Sequence, residues 1–246
     1  MNTGMIVLFT DFGLAGPYTG QLKAVLYRDA PGVPVVDLFA DAPAAAPRPA
    51  AYLLAAYAGW FPPPCVVVAV VDPGVGSDRT AVVVEADGKF FVGPDNGLFE
   101  LVRRRAAAAR SWKIVWRPPA LSASFHGRDL FAPVAAQLAR SMLPADHLQA
   151  GELAQRPDWP DELPEIVYID HYGNAMTGVR AATLPPGARL AAGGQLLAQA
   201  RTFSDLPPGQ AFWYGNANGL AEIAVNRGRA DAVLGLAIGS PISIVT

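Results

Sequence analysis

The sequence predicts an α/β N-terminal domain with a mainly parallel sheet, followed by a smaller all-β, barrel-like C-terminal domain. Strand and helix patterns alternate from residue 5 to residue 71, as they do in parallel sheets with right-handed crossovers. After residue 164 the pattern changes to short extended segments separated by Gly, Pro and Asn, which is typical of small barrels and sandwiches. We therefore expect the N-terminal domain over residues 1–157, a linker over 158–164 and the C-terminal domain over 165–246.

The N-terminal half begins with a β-α-β-α-β succession. A helix is predicted after Pro17, where proline suits the first turn, and a second, Ala-rich helix is predicted over residues 50–60. The run over 65–71 is rich in Val and too short to span a bilayer, so it is interpreted as a buried central strand. The predicted strands of this half are residues 5–9, 33–39, 65–71, 81–85, 90–92 and 112–116.

Two further helices and five C-terminal strands complete the expected elements. A helix is predicted over residues 98–110, with Arg103, Arg104 and Arg105 on a solvated helix end, and another is predicted to end near residue 141. The C-terminal domain is predicted to contain no helix. Its expected strands are residues 165–170, 195–200, 211–214, 220–225 and 241–245.

Composition excludes several classes of function. The formal net charge of -2 and the pI near 5.9 argue against a nucleic-acid partner, which usually requires a basic surface. No basic region precedes the first apolar run, residues 5–9, and the sequence contains no 18-residue apolar stretch, so neither secretion nor membrane insertion is expected. Cys65 is the only cysteine and is interpreted as a small core residue, which favours a cytoplasmic location.

Polar turns follow several of the predicted strands. Asp72 and Arg79 lie at the two ends of a Gly-rich loop after the central strand, and Asp11 follows the first strand. Because a strand follows the glycines of this loop, it does not match a dinucleotide-binding turn, whose glycines open a helix. Taken alone, Asp72 and Arg79 are also consistent with a structural ion pair, His126 with a structural histidine and Asp11 with a helix cap. No zinc-ligand spacing, no Gly-x-Ser-x-Gly and no Walker sequence occurs.

The polar turns together resemble the serial motifs of one family. The matching stretches are Phe9-Thr-Asp-Phe-Gly13, Val70-Val-Asp-Pro-Gly-Val-Gly76, Gly93-Pro-Asp-Asn-Gly97, Phe125-His-Gly-Arg-Asp129, Ile169-Asp-His-Tyr-Gly-Asn174 and Glu222-Ile-Ala-Val-Asn226. In their order and over nearly the whole chain, they resemble the motifs of the S-adenosyl-L-methionine (SAM) hydroxide adenosyltransferases, or SAM hydrolases, which are relatives of fluorinating and chlorinating enzymes. The resemblance implies the two-domain fold and a homotrimer, with each active site between the N-terminal domain of one subunit and the C-terminal domain of its neighbour.

The resemblance implies a catalytic set of Asp72, Arg79 and His126. The halogenating relatives lack this trio, so water is the expected nucleophile and SAM is expected to yield adenosine and L-methionine. Displacement at the ribose 5' carbon expels a neutral thioether, so only the attacking water needs activation. We expect Asp72 and His126 to orient the water and accept its proton while Arg79 stabilises the developing charge. No cofactor and no metal are expected.

The resemblance also implies substrate-binding residues. Asp11 matches the position that holds the ribose hydroxyls, and Asp170 matches the position that meets the methionine ammonium. Tyr172, Asn174 and the backbone from Val225 to Arg227 are expected to bind adenine. The chain departs from the family pattern at two positions near the amino-acid end of the substrate. Gly16 stands where relatives often have a second acidic residue, and Ala217 stands where a serine often helps to hold the carboxylate.

Three other functions remain open on the sequence. A halogenase-like transferase would form 5'-chloro-5'-deoxyadenosine in the presence of chloride. A non-catalytic adenosine- or SAM-binding protein would bind the ligand without turnover. An ordinary structural or interaction protein would require all six polar turns to be accidental.

Overall fold

The computed structural model describes residues 4–246, which form two compact units. One unit ends at Arg156, and the other comprises Pro157–Thr246. Within the described residues, none of the helices has the length and apolar character needed to cross a membrane.

The N-terminal unit is built on a seven-stranded sheet in the order β2-β1-β3-β5-β4-β6-β7. Strands β2, β1, β3 and β5 pair in parallel, and β4 is antiparallel to both of its neighbours, so β6 again runs in the direction of β5. The prediction of a mainly parallel sheet is therefore confirmed. The strands are β1 (Met5–Thr10), β2 (Val35–Phe39), β3 (Cys65–Val70), β4 (Ala81–Ala86), β5 (Lys89–Pro94), β6 (Ala109–Ile114) and β7 (Leu148–Ala150), and the helices are α1 (Tyr18–Asp29), α2 (Pro47–Tyr57), α3 (Glu100–Arg105) and α4 (Ala132–Ala139).

Strand β3 lies inside this sheet, between β1 and β5, as its Val-rich sequence predicts. Every residue of the strand is buried, and Val66 and Val68 belong to one core cluster with Leu22 and Leu26 of α1. Burial of side chains on both faces removes apolar surface from water and fixes the position of the strand. The loop that begins at Asp72 therefore starts from a rigid element.

The helix predicted over residues 98–110 is wrong in its second half. Helix α3 ends at Arg105, and Ala109 and Arg110 already belong to β6, where they pair with residues of β4. Hydrogen bonding to a sheet edge has overridden local helix propensity at this point. The arginines at the helix end are also not simply solvated, because Arg103 and Arg104 both form ion pairs with Glu100, whose side chain is only 3% exposed.

The C-terminal unit contains two antiparallel sheets, in the orders β12-β13-β9-β8 and β11-β10-β14. Two isolated bridges join their edges, one between Gln199 and Trp213 and one between Glu165 and Pro241. The two sheets thereby close on each other, which confirms the barrel-like prediction. The elements are β8 (Leu163–Ile169), β9 (Ala175–Arg180), β10 (Arg189–Ala192), β11 (Gln195–Leu197), β12 (Ala211–Gly215), β13 (Leu220–Val225), β14 (Ser243–Val245) and the short helix α5 (Ala230–Leu234).

Three details of this unit differ from the sequence-based expectation. The prediction that it contains no helix is wrong, because α5 follows β13 and buries Ala230 and Leu234. Strands β9 and β10 were not predicted. Strand β8 begins at Leu163, two residues inside the segment predicted as a linker. Short elements of this kind are stabilised by tertiary packing, which local sequence patterns do not encode.

Candidate active site

The loop after β3 brings Asp72 and Arg79 into direct contact. Arg79 Nε donates to both carboxylate oxygens of Asp72, at 2.8 and 3.0 Å, and Nη2 donates to Oδ2 as well. The two side chains are 4% and 10% exposed, respectively. The Arg79 guanidinium also lies over the ring of Phe131, 5.3 Å from its centroid. This is a buried, fork-like ion pair of the kind that fixes geometry.

The segment that carries His126 packs against this loop. Gly76 has a positive φ of 80°, and a Cβ at this position would lie 2.5 Å from the carbonyl oxygen of Ala123. Only glycine allows so close an approach of the two backbones. The Asp129 carboxylate accepts the Ser122 N–H at 3.0 Å and ties the two ends of the His126 segment together.

His126 completes the cluster, because its Nδ1 lies 3.0 Å from Arg79 Nη2. An arginine donates but never accepts hydrogen bonds, so Nδ1 of His126 is the acceptor and the proton of the neutral ring resides on Nε2. Burial and the nearby Arg79 charge lower the pKa of His126, and the Asp72 charge opposes this shift. The lowered pKa favours the neutral ring, whose Nε2 can donate a hydrogen bond.

A cavity of about 70 Å³ lies beside this cluster. Asp11, Asp72 and His126 are among the residues that line it. Burial raises the pKa of Asp11, while the Ala45 N–H, which donates to its Oδ2 at 2.8 Å, acts in the opposite direction. The cavity has room for about two water molecules and places them against two carboxylates and one imidazole. It can therefore hold and orient a water nucleophile.

The C-terminal unit contains a much larger cavity of about 750 Å³. This volume is within the usual range for a small-molecule site. All five substrate-binding residues predicted for this unit line the cavity, as does Ala217. The five are Asp170, Tyr172, Asn174, Val225 and Arg227.

The turn between β8 and β9 supplies three of these residues. The Asp170 carboxylate accepts the backbone N–H of Asn174 at 2.9 Å and its side-chain Nδ2 at 3.0 Å. Gly173 has a positive φ of 84°, which closes the turn. Asn174 is 6% exposed, whereas Tyr172 is 73% exposed. The turn thus presents a fixed carboxylate and an accessible aromatic ring to the cavity.

Sequence reasoning missed a second polar cluster in this cavity. Glu222 is 2% exposed, and its carboxylate accepts the Tyr214 hydroxyl at 2.5 Å and Asn216 Nδ2 at 2.7 Å. Burial raises the pKa of Glu222, and these two hydrogen bonds oppose the shift. The available signal was a glutamate inside an apolar strand pattern, because such a residue is buried and needs partners.

Two other predicted turn residues have structural partners. The Asp95 carboxylate accepts the Ala154 N–H, and Asn96 Nδ2 donates to the carbonyl of Val71, directly before Asp72. Among the residues that the structure describes, no group of three or more His, Cys, Asp or Glu side chains is arranged to hold a metal ion.

An α/β unit with a clustered carboxylate, guanidinium and imidazole, together with a β-barrel unit with a ligand-sized cavity, defines a two-domain enzyme. Comparison with models of protein families identifies the family within this class. The SAM hydroxide adenosyltransferase N-terminal domain matches residues 6–148, and the SAM hydroxide adenosyltransferase C-terminal domain matches residues 164–243. The chain belongs to the SAM hydroxide adenosyltransferase family.

Similar proteins support this membership over the full length. The chain is 39% identical to an (R)-S-adenosyl-L-methionine hydrolase of Thermus thermophilus, over 98% of this chain and 99% of that one. It is 36% identical to a Salinispora arenicola protein of the same name, over 99% and 98%. A crystal structure of an uncharacterized conserved protein from Thermotoga maritima superposes with a TM-score of 0.83 at 30% identity, covering 98% of this chain and all of the other.

Proposed function

We propose that this protein hydrolyses SAM to adenosine and L-methionine by in-line attack of water at the ribose 5' carbon. The observation that carries the proposal is the contact of Asp72, Arg79 and His126 beside a cavity of water size, in a chain of this family. The oxygen of water forms a bond to the 5' carbon as the carbon–sulfur bond breaks. The bonding electrons go to sulfur, and the sulfonium leaves as a neutral thioether.

The three side chains have different roles in activating the attacking water. Bulk water has a pKa of ~15.7, and carboxylates in general are weak bases, so the proton moves to Asp72 only as the new carbon–oxygen bond forms. His126 donates from Nε2 and orients the water, since its Nδ1 is engaged by Arg79. This refines the expected sharing of the proton between Asp72 and His126. Arg79 stabilises the hydroxide-like charge that develops on the water oxygen as its proton leaves, and loss of one such contact typically costs on the order of 10²–10³ in rate.

Binding residues are proposed for each part of the substrate. Asp11 accepts hydrogen bonds from the ribose hydroxyls, to which a carboxylate is well suited. Asp170 meets the methionine ammonium, and Tyr172 and Asn174 contact adenine, together with the backbone from Val225 to Arg227. The support is that Asp11 lines the small cavity and that the others line the large one. No cofactor is proposed besides the substrate.

We further propose a homotrimer in which each active site combines the N-terminal unit of one subunit with the C-terminal unit of its neighbour. The support is that the catalytic residues all lie in one unit and the large cavity lies in the other. A complementation experiment tests this arrangement with Asp72→Ala and Asn174→Ala, which inactivate different halves of the site. Co-expressed and co-purified, the two variants should regain about a quarter of the wild-type activity by random assortment. Activity no higher than that of the separate variants would contradict it.

The reaction is tested by incubating pure protein with SAM and separating the products by chromatography. We expect adenosine and methionine in equal amounts without an added cofactor, and a loss of adenosine with Asp72→Ala. Equal adenosine from both proteins would remove Asp72 from the mechanism. Chloride-dependent 5'-chloro-5'-deoxyadenosine would favour a halogenase instead, and SAM binding without turnover would favour a binding protein.

Two further details are proposed. The names of the relatives specify (R)-SAM, and we propose the same preference here, which parallel assays with preparations enriched in the (R) or the (S) sulfonium epimer would test. We also propose a cytoplasmic location, because the one thiol, Cys65, is buried and unpaired. Cell fractionation with an antibody would test the location.

A further inference from the structure

The hairpin of β12 and β13 places a buried carboxylate next to the turn that borders the large cavity. Tyr214 and Glu222 face each other directly across the two strands, and both line the cavity. Side chains opposite each other in an antiparallel pair lie on the same face of the sheet. The carboxylate of Glu222 therefore lies at the base of the connecting turn, residues 216–219.

Asn216 links this carboxylate to the turn. Its Nδ2 donates to Glu222, and its Oδ1 accepts the backbone N–H groups of Asn218 and Leu220 at 2.9 and 3.0 Å. The backbone of Asn216 also pairs with Leu220 and Gly219. Both ends of one side-chain amide are thus occupied, so the position of Glu222 sets the orientation of Asn216 and the path of the turn.

Two donors of this turn have no hydrogen-bond partner among the described residues. In residues 4–246, the Ala217 N–H makes no hydrogen bond, and neither does the side-chain amide of Asn218. Both residues line the cavity. A backbone N–H and a neutral amide are suitable donors for a carboxylate. These two donors are available at the position where relatives often have a serine hydroxyl, which the Ala217 side chain lacks.

We propose that Glu222 is a positioning residue, which acts through Asn216 to hold the 216–219 turn in the shape that binds the amino-acid end of the substrate. The inference rests on the proposed function, because it takes SAM as the ligand of this cavity. In the proposed complex, the Ala217 N–H and the Asn218 side-chain amide donate hydrogen bonds to the carboxylate of the methionine portion of SAM. Glu222 itself does not touch the substrate.

The central test exchanges the two partners. Asn216→Asp places a second carboxylate against Glu222 and removes the donor between them, so KM for SAM should rise roughly tenfold or more. The double variant Asn216→Asp with Glu222→Gln restores a complementary pair, with the donor now on residue 222 and the Tyr214 hydroxyl still accepted there. It should recover most of the lost affinity at the original net charge.

Three measurements separate this role from general damage. The kcat at saturating SAM and the thermal midpoint should change much less than KM. The Kd for adenosine, which lacks the amino-acid portion, should stay within about twofold of wild type in Asn216→Asp. Gln195→Glu adds the same charge at an exposed position of β11 outside the cavity and should leave KM unchanged.

Several outcomes would overturn the inference. They are an unchanged KM in Asn216→Asp, no recovery in the double variant, or an equal loss of adenosine affinity. Glu222→Gln alone should also raise KM, because one of the two oxygens that accept from Tyr214 and Asn216 becomes a donor, and an unchanged KM in this variant would overturn the inference as well. A wild-type protein that makes no adenosine would refute the proposed function instead, and SAM titration by calorimetry would still test the turn.

Discussion

Arg79→Lys separates the shape of the arginine from its charge. Arg79 donates from Nε to both oxygens of Asp72 and from Nη2 to His126, and a lysine ammonium cannot span these groups. The lost hydrogen bonds to charged groups are worth about 1.5–3 kcal/mol each. Since the ammonium replaces part of the contact with Asp72, we expect a decrease of about 2–4 kcal/mol in the free energy of unfolding.

The rate should fall further than the charge alone predicts. Without the Arg79 donor, Nδ1 of His126 is no longer fixed as the acceptor, and the ring is free to change tautomer and orientation. We expect the single-turnover rate of adenosine formation to fall on the order of 10²–10³. Urea unfolding and rapid-quench chromatography measure the two effects.

The matched control is Arg110→Lys. Arg110 pairs with Glu85, but its side chain is 72% exposed, so the same exchange should change stability by less than about 1 kcal/mol and leave the rate unaltered. If Arg79→Lys behaves like this control in both assays, the fork geometry has no role in the site.

Three further predictions follow from other parts of the molecule. Burial and the Arg79 charge lower the pKa of His126. As the pH is decreased, kcat/KM should therefore fall with an apparent pKa below the ordinary 6.5. A pH-rate profile with a midpoint above 6.5 would contradict this prediction. Glu100→Gln should lower the free energy of unfolding by about 1–3 kcal/mol in urea titrations, because Arg103 and Arg104 lose their charged partner. An unchanged urea midpoint would mean that these ion pairs do not contribute to stability. Gly93→Ala would place a Cβ 2.1 Å from the Ala69 carbonyl oxygen and should cost about 3 kcal/mol in thermal melts or prevent folding. Its control, Gly20→Ala, lies on helix α1 with open space around the new Cβ and should be neutral or stabilising in the same assay.

The fold could be predicted where side-chain pattern and burial agree. The Val-rich run of β3 is recognisable because a strand buried on both faces needs apolar, β-branched residues throughout. The residues around Ala109 and Arg110 look helical by local propensity, and only their pairing with β4 makes them a strand. In the same way, α5 is too short to be stable in isolation and depends on burying Ala230 and Leu234.

The candidate site was predictable to different degrees. Asp72 and Arg79 are close in sequence and flank a Gly-rich loop, so the residues alone predict that they can face each other across it, but not whether the pair is catalytic or structural. His126 is 47 positions from Arg79, and its place beside them was inferred from the family resemblance. Glu222 was overlooked as a functional residue because its partners are set by the register of two strands and one turn. The catalytic and binding roles of all these residues stay predictions for the experiments above.

The bridges at Trp213 and Glu165 also bear on how this protein behaves in concentrated solution. Open strand edges carry free amide and carbonyl groups onto which another chain can add a strand. In the described part of the C-terminal unit, the bridges join the segment after β11 to β12, and β8 to the segment leading into β14, so the outer strand edges are partly paired within the unit. Closure of the barrel is thereby a protection against aggregation, in addition to providing the walls of a cavity.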